Sequence, residues 1–287
     1  MFIIEVPYFD LDQIYNSGQV FSWIKLRDSK YIIPFRNQAV KIEQKKEKLF
    51  MNCTEEQFYN IWYHYFDMKT DYCSINFKIK QIDEHMKICT NRGKGIHILN
   101  QDIFEMIITF ILATATNIPR IKSMVNSIKT LCGKKHIQSM GEVGKVFWYE
   151  FPTPQDILRK QNNLDLCKLG YRKDYIVSVC QDIIDGWLSL NDLEKMEYKS
   201  AKEYLMQFDG IGEKVADCIC LYGLHHLQAF PIDTHIEQIL KREYDCDYEI
   251  FSEWYLDGLN EYAGIVQQYL FYNEINPPEE VKLNGLD

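Results

Sequence analysis

The hydrophobic period of this chain changes once, and that change limits what it can fold into. From about residue 2 to 52, short β-prone runs (VFSWIKL, KYIIPF, QAVKIEQ and KLFMN) are parted by polar turns such as RDSK. Runs of this length and spacing suit a small antiparallel sheet. At Thr54 the pattern turns over: TEEQFYNIWYHYF sets Gln57 three residues after Thr54, a capping-box spacing that opens a helix. Helical periodicity dominates from there. It predicts helices near 76–90, 101–113, 117–132, 139–148, 154–160, 163–168, 171–188, 191–195, 198–206, 212–224, 233–242 and 252–272. The fold class is therefore α+β, with the sheet first and the helices after. We divide it into 1–85, the sheet with its flanking helix, and 86–287, a mainly helical region.

Several function classes are disfavoured. The greasiest stretch, IFEMIITFILATA at 103–115, contains Glu105 and is too short for a membrane span, so it reads as a buried core helix. The nine cysteines form no C-x-x-C pair and no cluster follows Cys246, which predicts neither a zinc site nor an iron–sulfur cluster. The odd cysteine count, and an MFIIEVPYFD start without a basic leader, predict a reducing, cytoplasmic setting. The formal net charge of −9 argues against broad attraction to nucleic acid or acidic membranes, so any nucleic-acid site must be built locally.

One stretch supplies a candidate. In LMQFDGIGEKVADCICLYGL, Gly210-Ile211-Gly212 reads as a tight turn and the following residues as a helix, with Lys214 in its first turn. A cation there opposes the helix dipole, at a typical cost of a few tenths to about 1 kcal/mol. The same field, together with burial, favours the neutral amine, which is how a lysine becomes a nucleophile. The glycines expose consecutive backbone N–H groups at a helix start, where an anion such as a DNA phosphate can bind. Cys218, four residues on, shares the face of Lys214 and reads as an apolar packer forming one wall of a pocket. Asp233, in PIDTH, precedes another helix and is an N-cap candidate. A capped carboxylate is also well oriented to stabilise positive charge or assist a proton transfer. A solvated lysine, an ordinary turn and a simple N-cap stand as unremarkable readings beside these.

The stretch GIGEKVADCICLYGLHHLQAFPIDTH resembles the helix-hairpin-helix and catalytic aspartate of the base-excision DNA glycosylase superfamily. KVADC and PIDTH most resemble its 8-oxoguanine DNA glycosylase family, of a bacterial type. LDQIYNSGQVFSW, NIPRI, LGYRKDY and AGIVQQYLF follow in the family's order. The resemblance implies a TBP-like sheet domain, then a glycosylase body with the hairpin at about 198–224. It implies that Lys214 attacks the sugar C1′ of a flipped 8-oxoguanine nucleotide, that Asp233 assists, and that a Schiff base and β-elimination follow. It further implies that the Gly18 carbonyl meets the N7–H of the lesion, that Gln267 reads the Watson–Crick edge, and that Phe271 and Cys218 sandwich the base. His235 would contact a phosphate. Gly210, Gly212, Asn117, Tyr171 and Arg172 would contact DNA, the tyrosine as a wedge and the arginine facing the orphaned base.

No cofactor is required on this reading, although the resemblance allows a monovalent or divalent cation at the hairpin backbone carbonyls. The implied partner is double-stranded DNA containing 8-oxoguanine, met by a monomer without a membrane, in the bacterial nucleoid region of the cytoplasm. Alternatives are a same-fold glycosylase for another damaged purine and a non-catalytic DNA-binding module. Two positions depart from the family. Ala115 stands where eukaryotic members have asparagine, which puts strict preference for an opposite cytosine in doubt, since alanine cannot donate a hydrogen bond. Ser22 replaces a common arginine, with no consequence legible from the sequence.

Overall fold

In the computed structural model, which describes residues 1–139 and 143–278, the first fifty residues form the expected antiparallel sheet. Its strands are β1 (Phe2–Glu5), β2 (Ile24–Arg27), β3 (Lys30–Phe35), β4 (Gln38–Lys45) and β5 (Lys48–Met51), in the order β1-β5-β4-β3-β2. Helix α1 (Leu11–Asn16), which the strand-like patterning concealed, lies between β1 and β2 and buries Leu11 and Ile14. VFSWIKL is a strand only from Ile24 on. Pro34 is tolerated because the β2 pairing ends at Ile24↔Ile32, so its missing N–H faces no strand on that side.

Thr54 and Gln57 form the expected reciprocal capping box. They open a continuous helical run made of α2 (Glu55–Gln57), a π-helical segment (Phe58–Trp62) and α3 (Tyr63–Tyr65). Then come α4 (Tyr72–Ile79), α5 (Glu84–Gly93), α6 (Ile103–Leu112) and α7 (Ile118–Cys132). Here the reading of 139–148 as a helix is corrected. The chain forms a hairpin of β6 (Lys135–Ser139) and β7 (Lys145–Tyr149), and residues 140–142 lie outside the described set. The physical reason is a period of two: His136 and Trp148 face inward and stack at 4.2 Å, while Ile137 and Phe147 face out. Trp148 packs on Ile32 and Ala39, which is why β3 is buried on both faces.

The remainder is helical: α8 (Pro154–Arg159), α9 (Arg172–Asp185), α10 (Leu190–Leu193), α11 (Tyr198–Leu205), α12 (Glu213–Tyr222), α13 (Thr234–Tyr244), α14 (Tyr248–Tyr255) and α15 (Ala263–Ile275). Two expected helices change. The segment at 163–168 is a 3-10 helix, Gln161–Cys167. The single helix at 252–272 is broken between α14 and α15, with Gly258 at φ +69° in the break.

Two cores result. One gathers Val6, Leu11, Ile33, Trp62 and Phe66 under the sheet; the other gathers the buried faces of α4 to α15. They are stitched by exchanged residues, Phe21 of the amino-terminal segment in the helical core and Leu99 in the sheet core. Within the helical core, α11 and α12 are locked by Asp217, which is 4% exposed. It accepts from the Tyr198 hydroxyl at 2.7 Å and pairs with Lys202 at 3.0 Å. Ser22 also finds its role here, donating to the buried Glu105 carboxyl of α6, whose pKa burial raises.

Candidate active site

Five segments converge on one cavity of about 830 Å³: the turn after α1, the corner between α6 and α7, and the amino-terminal ends of α12 and α13 with the face of α15. That volume suits a nucleobase-sized ligand with room for its sugar. Of the residues singled out from sequence, Gly18, Asn117, Gly210, Gly212, Lys214, Cys218, Asp233, His235, Gln267 and Phe271 all line it. Tyr171 and Arg172 do not. They sit at the corner between α6 and α7, where the Arg172 Nε donates to the Thr114 carbonyl at 3.1 Å and an Nη2 hydrogen bond reaches the Ala115 carbonyl at 3.3 Å.

Lys214 is the second residue of α12, whose N-cap is Gly212 with no side-chain cap. Most helices here carry Asp, Asn, Ser or Thr as a cap, for example Asp102, Thr153 and Asp247. A glycine leaves the first N–H groups of α12 uncapped by any side chain. Space beside Gly212 is open, since a Cβ built there would meet nothing within 4 Å. Gly210 is different: it holds φ +81° and its backbone lies against the Tyr175 ring, so only glycine fits.

The Lys214 ammonium forms no ion pair among the described residues and lies 5.7 Å from the centroid of the Phe110 ring. Its amine is thus held over an aromatic face rather than neutralised by a carboxylate. Burial pushes the Cys218 thiol up to about 11, against the lowering effect of the neighbouring Lys214 charge and hydrogen bond. A thiol so shifted is a neutral wall and not a nucleophile at physiological pH.

Asp233 caps α13, its Oδ1 accepting from the Ile236 N–H at 2.9 Å. Its other oxygen accepts no hydrogen bond among the described residues and remains available. His235, two residues on, is exposed and lies edge-on to Phe271 at 5.9 Å. Asn117 caps α7, accepting from the Arg120 N–H at 3.0 Å.

Gly18 holds φ +87°, and a Cβ there would stand 2.7 Å from Phe271 Cε1. Glycine is required by both conformation and contact. Gln267 is 4% exposed; its Nε2 donates to the Pro231 carbonyl at 3.1 Å, while its Oε1 is buried with no partner. A buried acceptor left unpaired costs about 1–3 kcal/mol, and this one lies in a cavity wall where a donor-bearing ligand would satisfy it.

Sequence reasoning missed Phe110, Tyr222 and Glu237, which also line the cavity. Phe110 and Tyr222 stack with centroids 5.4 Å apart, forming the floor on which Lys214 rests. Phe110 falls within the stretch read as a buried core helix and Tyr222 within the helix that carries Lys214, and periodicity cannot say which apolar residue of a helix borders a void. Among the described residues no group of His, Cys, Asp or Glu side chains is placed to hold a metal ion, and no helix is long and apolar enough to cross a membrane.

Residues 1–107 match the family model described as "8-oxoguanine DNA glycosylase, N-terminal domain". An N-glycosylase/DNA lyase of Saccharomyces cerevisiae is 29% identical over 60% of this chain and 50% of its own length. A probable N-glycosylase/DNA lyase of Methanothermobacter thermautotrophicus is 28% identical over 66% of each chain. The chain thus spans about half to two thirds of the length of these curated relatives. Among solved structures, the Clostridium acetobutylicum 8-oxoguanine glycosylase/lyase in its apo form is 30% identical, with a TM-score of 0.84 over 94% of this chain and 95% of that one. The same protein in complex with double-stranded DNA containing cytosine opposite 8-oxoG superposes with a TM-score of 0.85 at 28% identity, over 100% and 99%.

Proposed function

The chain belongs to the 8-oxoguanine DNA glycosylase family, and from that premise we propose that it removes 8-oxoguanine from duplex DNA and cleaves the resulting abasic site. The observation that carries the reading is the grouping in one cavity of a Lys214 amine with no ion pair among the described residues, a half-free Asp233 carboxylate and the orphaned Gln267 Oε1.

A base within a duplex is out of reach, so the lesion is extruded into the cavity at a cost of a few kcal/mol. Gln267 Oε1 accepts from the N–H groups on the Watson–Crick edge of the base, which relieves its unpaired burial. Phe271 and Cys218 bound the two faces of the base. The Gly18 carbonyl accepts from N7–H, present in 8-oxoguanine; guanine offers a bare acceptor there and is repelled. Lys214 then attacks C1′ as the C1′–N9 bond breaks and the base departs with the bonding electrons. Asp233 stabilises the developing cationic sugar and helps take the proton lost by the amine. The adduct opens the sugar ring, the C1′–O4′ bond breaking as O4′ takes a proton and the nitrogen lone pair forms the C1′=N Schiff base; this acidifies the C2′ proton, and its removal expels the 3′ phosphate by β-elimination.

The open amino-terminal end of α12 receives a backbone phosphate, with Gly210 and Gly212 allowing close approach, and His235 receives another. Asn117, Tyr171 and Arg172 meet the duplex at the rim. The proposal also includes a monomeric protein at the nucleoid, in the cytoplasm, and the option of a cation at the hairpin carbonyls.

Incubation of an 8-oxoguanine:cytosine duplex with the protein and sodium borohydride tests it. A covalent adduct is expected for the wild type, and none for Lys214→Gln or for undamaged duplex. Tight lesion binding without any adduct would overturn the lyase step.

A further inference from the structure

The turn that carries Gly18 is fixed from both sides while Gly18 itself is left free. Ser17, fully buried, donates its hydroxyl to the Ile14 carbonyl at 2.8 Å and receives Gln19 Nε2 at 3.0 Å. Gln19 Nε2 also donates to the His97 carbonyl, its Oε1 accepts from the Leu99 N–H at 2.9 Å, and its own carbonyl accepts from Gln101 Nε2 at 3.1 Å. The Gly18 carbonyl between them accepts no hydrogen bond from any described residue. One anchor of the turn comes from far away in the chain. The Ser17 carbonyl accepts from Gln268 Nε2 at 2.8 Å, across 251 residues, and Gln268 Oε1 accepts from the Tyr222 hydroxyl at 2.8 Å.

We infer that Gln268 is a positioning residue for lesion recognition, coupling the Gly18 turn to the catalytic helix through Tyr222. Three facts support this. Tyr222 lies on α12, two turns beyond Lys214, and stacks on Phe110, over which the Lys214 amine sits. Gln268 is fully buried on α15 next to Gln267, so the residue holding the turn and the residue reading the base edge share one helical step. The two amide groups divide the work: Gln267 lines the cavity, whereas Gln268 is not part of its lining and bonds to Ser17 and Tyr222 instead. Gln268 fixes the Ser17–Gly18 peptide on one side and the bonds of Gln19 fix the chain on the other, so the Gly18 carbonyl between them is held in place before any base arrives. Preorganisation of an acceptor is what lets one hydrogen bond separate two bases that differ by one N–H.

This inference rests on the functional reading above, because it assigns Gln268 to the discrimination between 8-oxoguanine and guanine. Gln268→Met keeps the volume and removes both hydrogen bonds; Tyr222→Phe removes only the distal one. For each protein, affinity for 8-oxoguanine:cytosine and guanine:cytosine duplexes is measured, alongside borohydride trapping on a preformed abasic site. Gln268→Met is expected to lose about tenfold in the affinity ratio between the two duplexes, while abasic-site trapping, which needs no base, holds its wild-type rate. Tyr222→Phe is expected to lose a smaller part of the ratio. An unchanged ratio in Gln268→Met, or a fall in abasic-site trapping by the same factor, overturns the positioning role. If Gln268→Met does not fold, an unchanged ratio in Tyr222→Phe overturns it. A wild type that shows no preference for the lesion overturns the functional reading itself, and this inference with it.

Discussion

Gly18, Ala115 and Cys218 show how single residues set the chemistry of the cleft. Gly18→Ala places a Cβ against the Phe271 ring in a left-handed backbone conformation that costs an alanine about 1–2 kcal/mol. Thermal unfolding is expected to fall accordingly and 8-oxoguanine affinity to drop at least tenfold; a variant with wild-type melting and binding would remove the steric argument. Ala115 is itself left-handed, at φ +48°, on the exposed corner where Arg172 donates to the Thr114 and Ala115 carbonyls. Asparagine tolerates that conformation better than alanine and restores a donor. Ala115→Asn is therefore expected to stabilise the protein by a few tenths of a kcal/mol and to raise excision opposite cytosine relative to adenine, read in paired single-turnover assays. Cys218 provides a pH test. Burial raises its pKa from 9.0 to about 11, with the Asp217 and Asp233 charges adding to the rise and Lys214 opposing it. The folded state therefore holds a proton that the unfolded state releases first. The stability this gives is fully present below pH 9 and is lost as pH rises through about 11. Relative to Cys218→Ala, the wild type is expected to lose about 2–3 kcal/mol across that window in denaturant titrations.

At the scale of elements, the hairpin of α11 and α12 depends on a polar lock that the apolar periodicity does not reveal. Asp217 is buried between Tyr198 and Lys202, so Asp217→Ala strands a hydroxyl and an ammonium. Lys202 is only partly buried, so losing these bonds typically costs about 1–3 kcal/mol; the expected result is a melting point several degrees lower and weaker binding even to undamaged duplex, since the α12 amino terminus loses its support. Conservation of both properties would mean that α11 contributes nothing to holding α12. Lys214, Asp233, Gln267 and Phe271 were legible because each sits in a motif whose order along the chain is specific, and the structure brings all four to one cavity. The helix of 139–148 was misread because KHIQS and KVFWY alternate over only five residues each, too short a window to separate a period of two from one of 3.6. Helix α1 was hidden by its shortness, six residues with an Asp10 cap among β-prone neighbours. Gln268 could not be found at all, because its partner Ser17 lies 251 residues away and an interior glutamine in a helix has no local signature.

For the whole molecule, the unusual fact is that a chain with a formal charge of −9 is assigned to DNA. The architecture reconciles the two. The cavity is lined by residues of the helical core with Gly18 of the amino-terminal turn at its wall, and that turn is tied to the helices by Phe21 and by the Gln268–Ser17 hydrogen bond. On the proposed function, phosphate contact falls mainly to backbone N–H groups at the start of α12, where the helix dipole is positive whatever the net charge of the protein. Among the described residues that line the cavity Lys214 is the one Lys or Arg, and Arg120 and Arg172 are already donating to the Lys168 and Thr114 carbonyls. Each phosphate neutralised by a cation contributes a slope of about −0.9 to log K against log salt. Two or three such contacts predict a slope of about −2 to −3 for lesion-bearing duplex, and repulsion between the acidic surface and the flanking DNA should make unspecific binding weaker still. Fluorescence anisotropy between low and near-physiological salt measures both quantities. A slope steeper than about −6 would place a basic surface against DNA that the cleft described here does not contain, and would move the binding face elsewhere on the molecule.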